Sequence, residues 1–264
     1  MPAEFSITTD LVKSKKGNVS PEFRAFAAAG FKAVHWCQHW AGEPVFYDEA
    51  FAKDVKELAD RHGLRVADVH GYSGTQGGPT YTDELFLAAN VNRAEFAHRL
   101  GADVLVLHLP LRKCPEEQAI DNAIAVLKAL RPACQAFGVR VAIENLFDPP
   151  QTNAFFDALF AHFDSDYLGF CYDSGHALMT NQVELIARHA RRLIATHLHD
   201  NNGREDQHLL PGEGKVDWAT ILGAIRGSGY RRPLNLEVHK SPGMTLDGFC
   251  KHAYCVISGF GGNR

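Results

Sequence analysis

The sequence predicts an α/β protein with one domain over residues 1–264, a single (β/α)8 barrel of the TIM type. Three observations lead to this prediction. Strand-like runs alternate with helix-like stretches along the whole chain, glycines stand between several helices and the next strand, and polar residues end nearly every strand. A length of 264 residues also suits such a barrel, which typically needs about 250.

Eight short apolar runs have the length and composition of buried strands. They are Phe5–Thr8, Ala33–Trp36, Arg65–His70, Val104–Leu109, Arg140–Asn145, Leu168–Asp173, Ile194–Leu198 and Leu234–Val238. Between them, apolar residues recur at three- and four-residue spacing, which is the period of a helix. A doubly wound open sheet is the competing fold. It is disfavoured because no Gly-x-Gly-x-x-Gly follows the first run and polar residues end many runs rather than one switch point.

Helix boundaries are also visible. Ser20-Pro21 predicts a helix start with Ser20 as the N-cap and Pro21 at the first helical position. A glycine follows a helical stretch and precedes a strand at four places, where a left-handed helix stop is required. These glycines are Gly30, Gly63, Gly101 and Gly138.

Composition limits the classes of function. Hydrophobic residues make up 45%, enough for a large core, and the net charge of −4 gives no bulk attraction to nucleic acid or to anionic membranes. No apolar run reaches the roughly 18 residues that span a bilayer, and no signal peptide is visible at the N-terminus. The six cysteines form no Cys-x-x-Cys pair. We therefore expect reduced thiols and a cytoplasmic protein with neither nucleic acid nor membrane as partner.

Ionisable groups converge where a barrel places its active site. The carboxyl ends of the strands meet at one face of the barrel, and the residues there include His35, His70, His108, Glu144, Asp173, His176, His199 and Glu237. Several carboxylates buried in one mouth repel each other unless a cation offsets their charge. Imidazole and carboxylate together suit borderline divalent metals. Read alone, Asp173-Ser174 is equally well explained as a helix N-cap.

The ordered motifs resemble a known family. Ile143-Glu144-Asn145, Asp173-Ser174-Gly175-His176, His197-Leu198-His199-Asp200-Asn201 and Leu236-Glu237 are similar to those of the xylose isomerase-like barrel superfamily. That group includes sugar and sugar-phosphate isomerases and epimerases and the endonuclease IV abasic-site nucleases. The resemblance implies a shared metal site on Glu144, Asp173, His199 and Glu237. It also implies proton transfer by Glu144 and Glu237 through a metal-stabilised enediolate, with His176 either near the substrate or orienting a ligand.

The nuclease branch adds further ligands, and this chain has residues at the matching places: His70, His108, His176, Asp206 and His208. The resemblance therefore implies one to three ions of Mn, Zn, Co or Mg, and a small-molecule phosphoesterase with two or three metals is the alternative. A lyase or dehydratase would share the first site. The segment Gly71–Gly78 carries no positive charge, which argues against abasic-site cleavage. A non-catalytic carbohydrate-binding barrel is the third alternative, although binding alone needs fewer ionisable groups.

A carbohydrate-like substrate is expected, with His35, Trp36, His108 and Arg204 as its contacts. The segment that contains Trp36, His39 and Trp40 is predicted to form one wall of the pocket; alternatively, the two tryptophans only anchor a loop. Arg204 would meet a phosphate or carboxylate, unless it is simply solvated. The apolar stretch Phe249–Phe260 offers a surface to a second copy of the chain.

Overall fold

The computed structural model describes residues 4–11, 19–37, 44–73, 83–109, 114–148 and 151–261. Its centre is one sheet of eight parallel strands in the order β7-β6-β5-β4-β3-β2-β1-β8. The strands are β1 Phe5–Thr8, β2 Ala33–Trp36, β3 Arg65–His70, β4 Val104–Leu107, β5 Arg140–Glu144, β6 Leu168–Asp173, β7 Leu193–His197 and β8 Leu234–Leu236. The predicted barrel is confirmed: four strands match their predicted bounds, three differ at one end, and β7 is shifted by one residue at both ends.

The sheet closes on itself just beyond the end of β7. Leu198 pairs with Leu236 in a parallel bridge. The Leu198 amide donates to the Asn235 carbonyl at 2.9 Å, and the Glu237 amide donates to the Leu198 carbonyl at 3.2 Å. Closure therefore occurs next to Glu237 and His197, and Oε2 of Glu237 lies 3.1 Å from Nδ1 of His197.

Helices lie between the strands. They are α1 Ser20–Ala29, α2 Glu49–Arg61, α3 Asp83–Leu100, α4 Glu116–Phe137, α5 Asn153–His162, α6 Ser174–Met179, α7 Leu185–Arg188, α8 Trp218–Ser228 and α9 Leu246–Gly261. Within the described part of the chain, no helix is both long enough and apolar enough to cross a membrane.

The buried apolar residues form two clusters, which lie on opposite faces of the strands. The larger cluster joins strands to helices and includes Phe23, Phe26 and Trp36. A smaller cluster contains inner residues of the central strands: Val104, Val106, Ala142, Cys171, Ile194 and Ala195. Because side chains alternate between faces along a strand, the residues two positions further on, such as Glu144 and Asp173, lie on the same inner side. The polar site thus stands on a small apolar floor.

The predicted helix ends need one correction, at the start of α1. The N-cap of α1 is Val19 rather than Ser20, and no side chain caps the helix, although Pro21 does lie in its first turn. The four predicted left-handed glycines all have positive φ. In the C-terminal stretch, Phe249 and Ile257 are buried within the chain itself, so these apolar side chains are already covered. A homo-oligomer stays a prediction.

Gly30 is constrained by its backbone and by its surroundings. Its φ is 115°, and an added Cβ would lie 2.9 Å from the Tyr254 ring. We expect Gly30→Ala to destabilise the protein by roughly 2–4 kcal/mol, the sum of backbone strain and overpacking. Gly63→Ala is the matched control: its φ is 64°, but nothing lies within 4 Å, so about 1 kcal/mol is expected. Urea-induced unfolding measures both, and equal losses would contradict the role of Tyr254.

Candidate metal centre

A cavity of about 310 Å³ opens at the carboxyl ends of the strands. This volume lies at the lower end of the range that is usual for small-molecule binding sites. Its described lining consists of Thr8, Asp10, Cys37, His70, Ser73, His108, Glu144, Leu146, Phe147, Asp148, His176, Asp206, His208, Glu237, Val238 and His239. Every charged group in this described lining is a carboxylate or an imidazole.

The first group of ligand atoms joins β6 to β7. Asp173 ends β6 and caps α6 by accepting a 2.6 Å hydrogen bond from the His176 amide. Both of its oxygens also lie 3.0 Å from Nε2 of His199. Gly175 makes this approach possible, because a Cβ there would lie 2.0 Å from the His199 ring. Asp173 can therefore cap the helix and also serve as a candidate ligand, so the two interpretations of the Asp-Ser-Gly-His motif are compatible.

Glu144 at the end of β5 is the centre of a second group. Oε2 lies 3.2 Å from Nε2 of His108 and 3.8 Å from Nε2 of His70, and Oε1 lies 3.4 Å from Nδ1 of His176. The Nδ1 atom of His70 is 2.8 Å from the Gly71 carbonyl, so Nδ1–H donates there and Nε2 keeps its lone pair. Burial, helped by the charge of His108, lowers the pKa of His70 to about 3. His70 is therefore a neutral ligand-type imidazole.

The loop after β7 supplies a third group. Oδ2 of Asp206 lies 3.1 Å from Nε2 of His208 and 3.5 Å from Nε2 of His176. His208 has a φ of 50°, its ring stacks on His199 at 4.1 Å, and its Nδ1 donates to the Glu237 carbonyl at 2.7 Å. A non-glycine residue with positive φ is held by such contacts and is frequent at functional sites.

Protonation in this region reflects a balance between burial and nearby carboxylates. Burial lowers the pKa of His208, but the hydrogen bond to Asp206 and the charge of Glu237 outweigh it and raise the pKa to about 9. Burial likewise opposes protonation of His176, yet Asp173, Asp206 and Glu144 together raise its pKa well above the ordinary value. In the absence of a metal, these imidazoles hold protons in the place of a cation.

Asp200 organises the loop that carries Asp206 and His208. It is fully buried, and each carboxylate oxygen accepts two N–H groups at 2.9–3.0 Å. The donors belong to Asn201, Gly212, Val216 and Trp218. The backbone of Asp200 also pairs with that of Leu209 in both directions. The loop is therefore fixed at both ends by one residue.

Glu237 lies across the cavity floor from Glu144. The Nδ1 atom of His197 lies 3.0 Å from Glu144 Oε2 and 3.1 Å from Glu237 Oε2, so the two carboxylates stand on either side of one nitrogen. Burial raises the pKa of each glutamate, but the charge of His197 and other imidazoles more than offsets this and places both well below their usual range. Both side chains are ionised at neutral pH.

The residues present fit a divalent metal. Several buried atoms have no hydrogen-bond partner, including both oxygens of Glu144, Oδ1 of Asp206 and Nδ1 of His199. Buried polar atoms without a partner call for a ligand, an ion or water. Carboxylate oxygens and imidazole nitrogens are the donors that Zn and similar ions take in proteins. The structure brings together all nine residues predicted as ligands: His70, His108, Glu144, Asp173, His176, His199, Asp206, His208 and Glu237.

The residues predicted to contact substrate are distributed differently. His108 lines the cavity. Trp36 is wrong as a cavity wall: it is fully buried in the core, packed beside Tyr47 and Phe96, because it faces the helices when its neighbour His35 faces inward. His35 is itself fully buried below the cavity lining. Arg204 is exposed and outside the described lining.

Some predictions fall on undescribed residues. His39 and Trp40, and positions 74–78 of the segment predicted to lack positive charge, lie outside the described part of the chain.

Sequence reasoning missed several residues that the site uses. Asp68 lies two positions before His70, Cys37 lies two positions after His35, and His197 lies two positions before His199. The two-residue period of a strand puts such pairs on one face, and this signal would have identified all three. Asp200 belongs to the His197–Asn201 motif, but its role depends on the Gly212 amide and the Trp218 indole N–H, 12 and 18 residues away, which no local pattern indicates.

Comparisons with known proteins agree with this fold. The family model described as a xylose isomerase-like TIM barrel matches residues 23–249. The uncharacterized protein y4fM of Sinorhizobium fredii is 30% identical over 242 residues, which cover 79% of this chain and 77% of that protein.

Two solved structures have the same fold. A D-tagatose 3-epimerase-like protein superposes with a TM-score of 0.75 at 21% identity, covering 97% of this chain and 96% of that one. The IolI protein with a bound zinc atom superposes with a TM-score of 0.76 at 14% identity, covering 97% of both chains.

Metal affinity is expected to depend on pH. A metal must displace the protons that His208 and His176 carry below their raised pKa values. Affinity should therefore fall as the pH is lowered from about 8 to 6, by roughly tenfold per unit for each displaced proton. Zinc titration with a competing chromophoric chelator, corrected for the pH dependence of the chelator, measures this. An affinity independent of pH would rule out histidines 176 and 208 as ligands.

Asp200→Asn tests the loop anchor. An amide offers one acceptor oxygen in place of two and turns its NH2 group toward backbone donors, so the ligands Asp206 and His208 should be displaced. We expect a loss of about 10- to 100-fold in zinc affinity, as for other supporting residues of metal sites. Asp217→Asn, at the exposed N-cap of α8, is the control and should leave the affinity unchanged. Equal affinities in the two variants would contradict the anchoring role.

Proposed function

Because the chain belongs to the xylose isomerase-like TIM barrel family, we propose that it is a divalent-metal-dependent isomerase or epimerase of a sugar or sugar phosphate. One observation carries the proposal. Two ionised glutamates, Glu144 at 1% and Glu237 at 8% exposure, line one cavity from different sides of the barrel. A pair of opposed carboxylates is the arrangement that moves a proton off one face of a carbon and onto the other.

The metal would be held by Glu144, Asp173, His199 and Glu237. When bound, such a cation polarises a carbonyl and stabilises the negative charge that develops on its oxygen. The further predicted ligands, His70, His108, His176, Asp206 and His208, surround the same cavity and would hold any additional ion.

The protein side chains supply the proton transfer. One glutamate accepts the proton from the carbon next to the carbonyl, at a carboxylate oxygen that faces the cavity. The other glutamate, after taking up a proton from solvent, donates it to the opposite face of that carbon. Their pKa values lie well below the usual range, so both are ionised at neutral pH, which is the state that accepting a proton requires. The donating glutamate carries its proton only during the reaction, and the accepting glutamate returns its proton to solvent afterwards. His176 adjoins Glu144 at 3.4 Å and would orient the substrate.

The shape of the cavity suits a small polyhydroxylated substrate. Its volume of about 310 Å³ can hold a monosaccharide-sized molecule. The Phe147 ring at the rim is 38% exposed and lies 5.0 Å from the His176 ring. An exposed aromatic face of this kind packs against the C–H face of a sugar. The contact that was predicted for Trp36 is thus assigned to Phe147 instead.

Glu144→Gln and Glu237→Gln test the acid–base pair. We expect each variant to lose at least about 100-fold in the rate at which deuterium from D₂O enters the reacting carbon, the magnitude of general acid–base catalysis. Metal-loaded protein and a panel of free and phosphorylated ketoses are used, with NMR detection. Glu117→Gln, exposed on α4, is the control. Deuterium exchange at the wild-type rate in either site variant would refute the proposal.

A phosphoesterase with two or three metals is the second candidate. It is favoured because His70, His108 and Glu144 form one group of ligand atoms within 4.8 Å of one another, while Asp173, His176 and His199 form another. Adjacent metals activate water and stabilise the leaving oxygen of a phosphoester. Phosphate release from small phosphoesters without deuterium exchange would select it. A lyase or dehydratase would instead release water or a smaller carbonyl product.

A further inference from the structure

Below the cavity lining lies a set of buried side chains that the proposed reaction does not use. His35 and His197 are both fully buried. Nε2 of His35 and both ring nitrogens of His197 make no well-directed hydrogen bond, although Nδ1 of His197 lies within ion-pair distance of Glu144 and Glu237. Imidazole nitrogens enclosed in this way are costly unless something pairs with them.

These unpaired nitrogens converge on a carboxylate. His35, His197 and Glu237 each offer a ligand atom, and these atoms all lie within 4.8 Å of one another. Nε2 of His35 is 3.7 Å from Glu237 Oε1, while Nδ1 of His197 is 3.1 Å from Glu237 Oε2. The two histidine rings are 4.6 Å apart, edge to face. Three ligand-type groups thus surround one point from β2, the end of β7 and the end of β8.

The other nitrogen of His35 is already paired. Nδ1 of His35 is in close contact with Asp68 Oδ1, so Nδ1–H donates to the carboxylate and Nε2 keeps its lone pair. A carboxylate behind a histidine is the arrangement that fixes the tautomer of metal-binding imidazoles. His35 is therefore oriented to bind a metal with Nε2, although it is too deep to contact a substrate in the cavity.

Charge favours a cation over water in this position. Glu237, Glu144 and Asp68 are all buried here, and buried carboxylates repel one another unless positive charge is present. Water would pair with the nitrogens but would leave this repulsion unchanged. A proton on His197, which lies between Glu144 and Glu237, offsets part of the repulsion, and a divalent cation would replace that proton and supply a second positive charge. Two imidazoles and a carboxylate are the donor set of zinc and its neighbours rather than of Mg or Ca.

We propose that His35, His197 and Glu237 form an inner metal site, selective for zinc-like divalent ions, beneath the outer centre that lines the cavity. The two centres share Glu237. The inner site does not depend on which reaction the outer centre catalyses, and its test counts metal ions instead of measuring turnover. A failure of the sugar assay and a failure of this proposal are therefore separate results.

The test compares zinc equivalents in wild-type protein and His35→Asn. Asparagine keeps an N–H group for Asp68 but removes Nε2. Both proteins are stripped with a chelator, dialysed to equilibrium against buffered free zinc, and measured by elemental analysis. We expect His35→Asn to bind one equivalent fewer than the wild type at the same free zinc. His35→Asn with the full wild-type stoichiometry and affinity would overturn the proposal, because it would leave a proton or water as the partner of these nitrogens.

His189→Asn is the matched control. His189 is also buried and its Nε2 also has no hydrogen-bond partner, but its ring packs among Phe156, Phe160 and Phe170. It should keep all zinc equivalents, so loss of zinc in this control as well would overturn the assignment to His35. Asp68→Asn, which leaves all three ligands in place, provides a second test if His35→Asn does not fold. Its inner-site affinity should fall about 10- to 100-fold, and an unchanged affinity would equally overturn the proposal.

Discussion

The rest of the structure depends on how negative charge is accommodated in the mouth of the barrel. Two buried carboxylates illustrate the two solutions. Asp200 accepts four N–H groups and needs no cation, so it serves as a structural anchor. Glu144 is buried as deeply, yet neither of its oxygens has a hydrogen-bond partner and its neighbours are imidazoles. A buried carboxylate in that second state is stable only with a proton or a metal nearby, and this requirement defines the site.

The two-residue period of the strands explains where that charge lies. Along β7 and its extension, Ala195, His197 and His199 follow one another at every second position. The first belongs to the inner apolar cluster, the second bridges the two glutamates, and the third contacts Asp173. The interior therefore changes from apolar to polar along the barrel axis within four residues. Parallel strands repeat this change at the same height, which is why ligands from distant parts of the sequence meet.

The fold and most of the candidate ligands could be predicted from sequence, because both follow from local patterns. Apolar runs bounded by glycine define the strands, and a barrel gathers the strand ends at one face. The prediction failed where it depended on the face of a strand to which a side chain points. Trp36 was assigned to the pocket although its neighbour His35 faces inward, and the parity of the strand places it among the helices. The arrangement of Asp206 and His208 could not be predicted, since it depends on Asp200 accepting hydrogen bonds from the distant Gly212 amide and Trp218 indole.

Shared candidate ligands would make the proposed metal positions interdependent. Glu144 contacts His70, His108, His176 and His197. Glu237 contacts His35 and His197. The proposed metal positions would therefore share these two carboxylates. Repulsion between the buried carboxylates favours the binding of a cation. The first cation removes much of that repulsion, and it also repels a second cation placed so close to it. Affinity should therefore decrease from the first ion to the last. The proton-transfer proposal uses one ion in the outer centre, and the phosphoesterase alternative uses two or three there. The number of ions in the outer centre at cellular metal levels, counted apart from the inner site, would therefore separate the two chemistries.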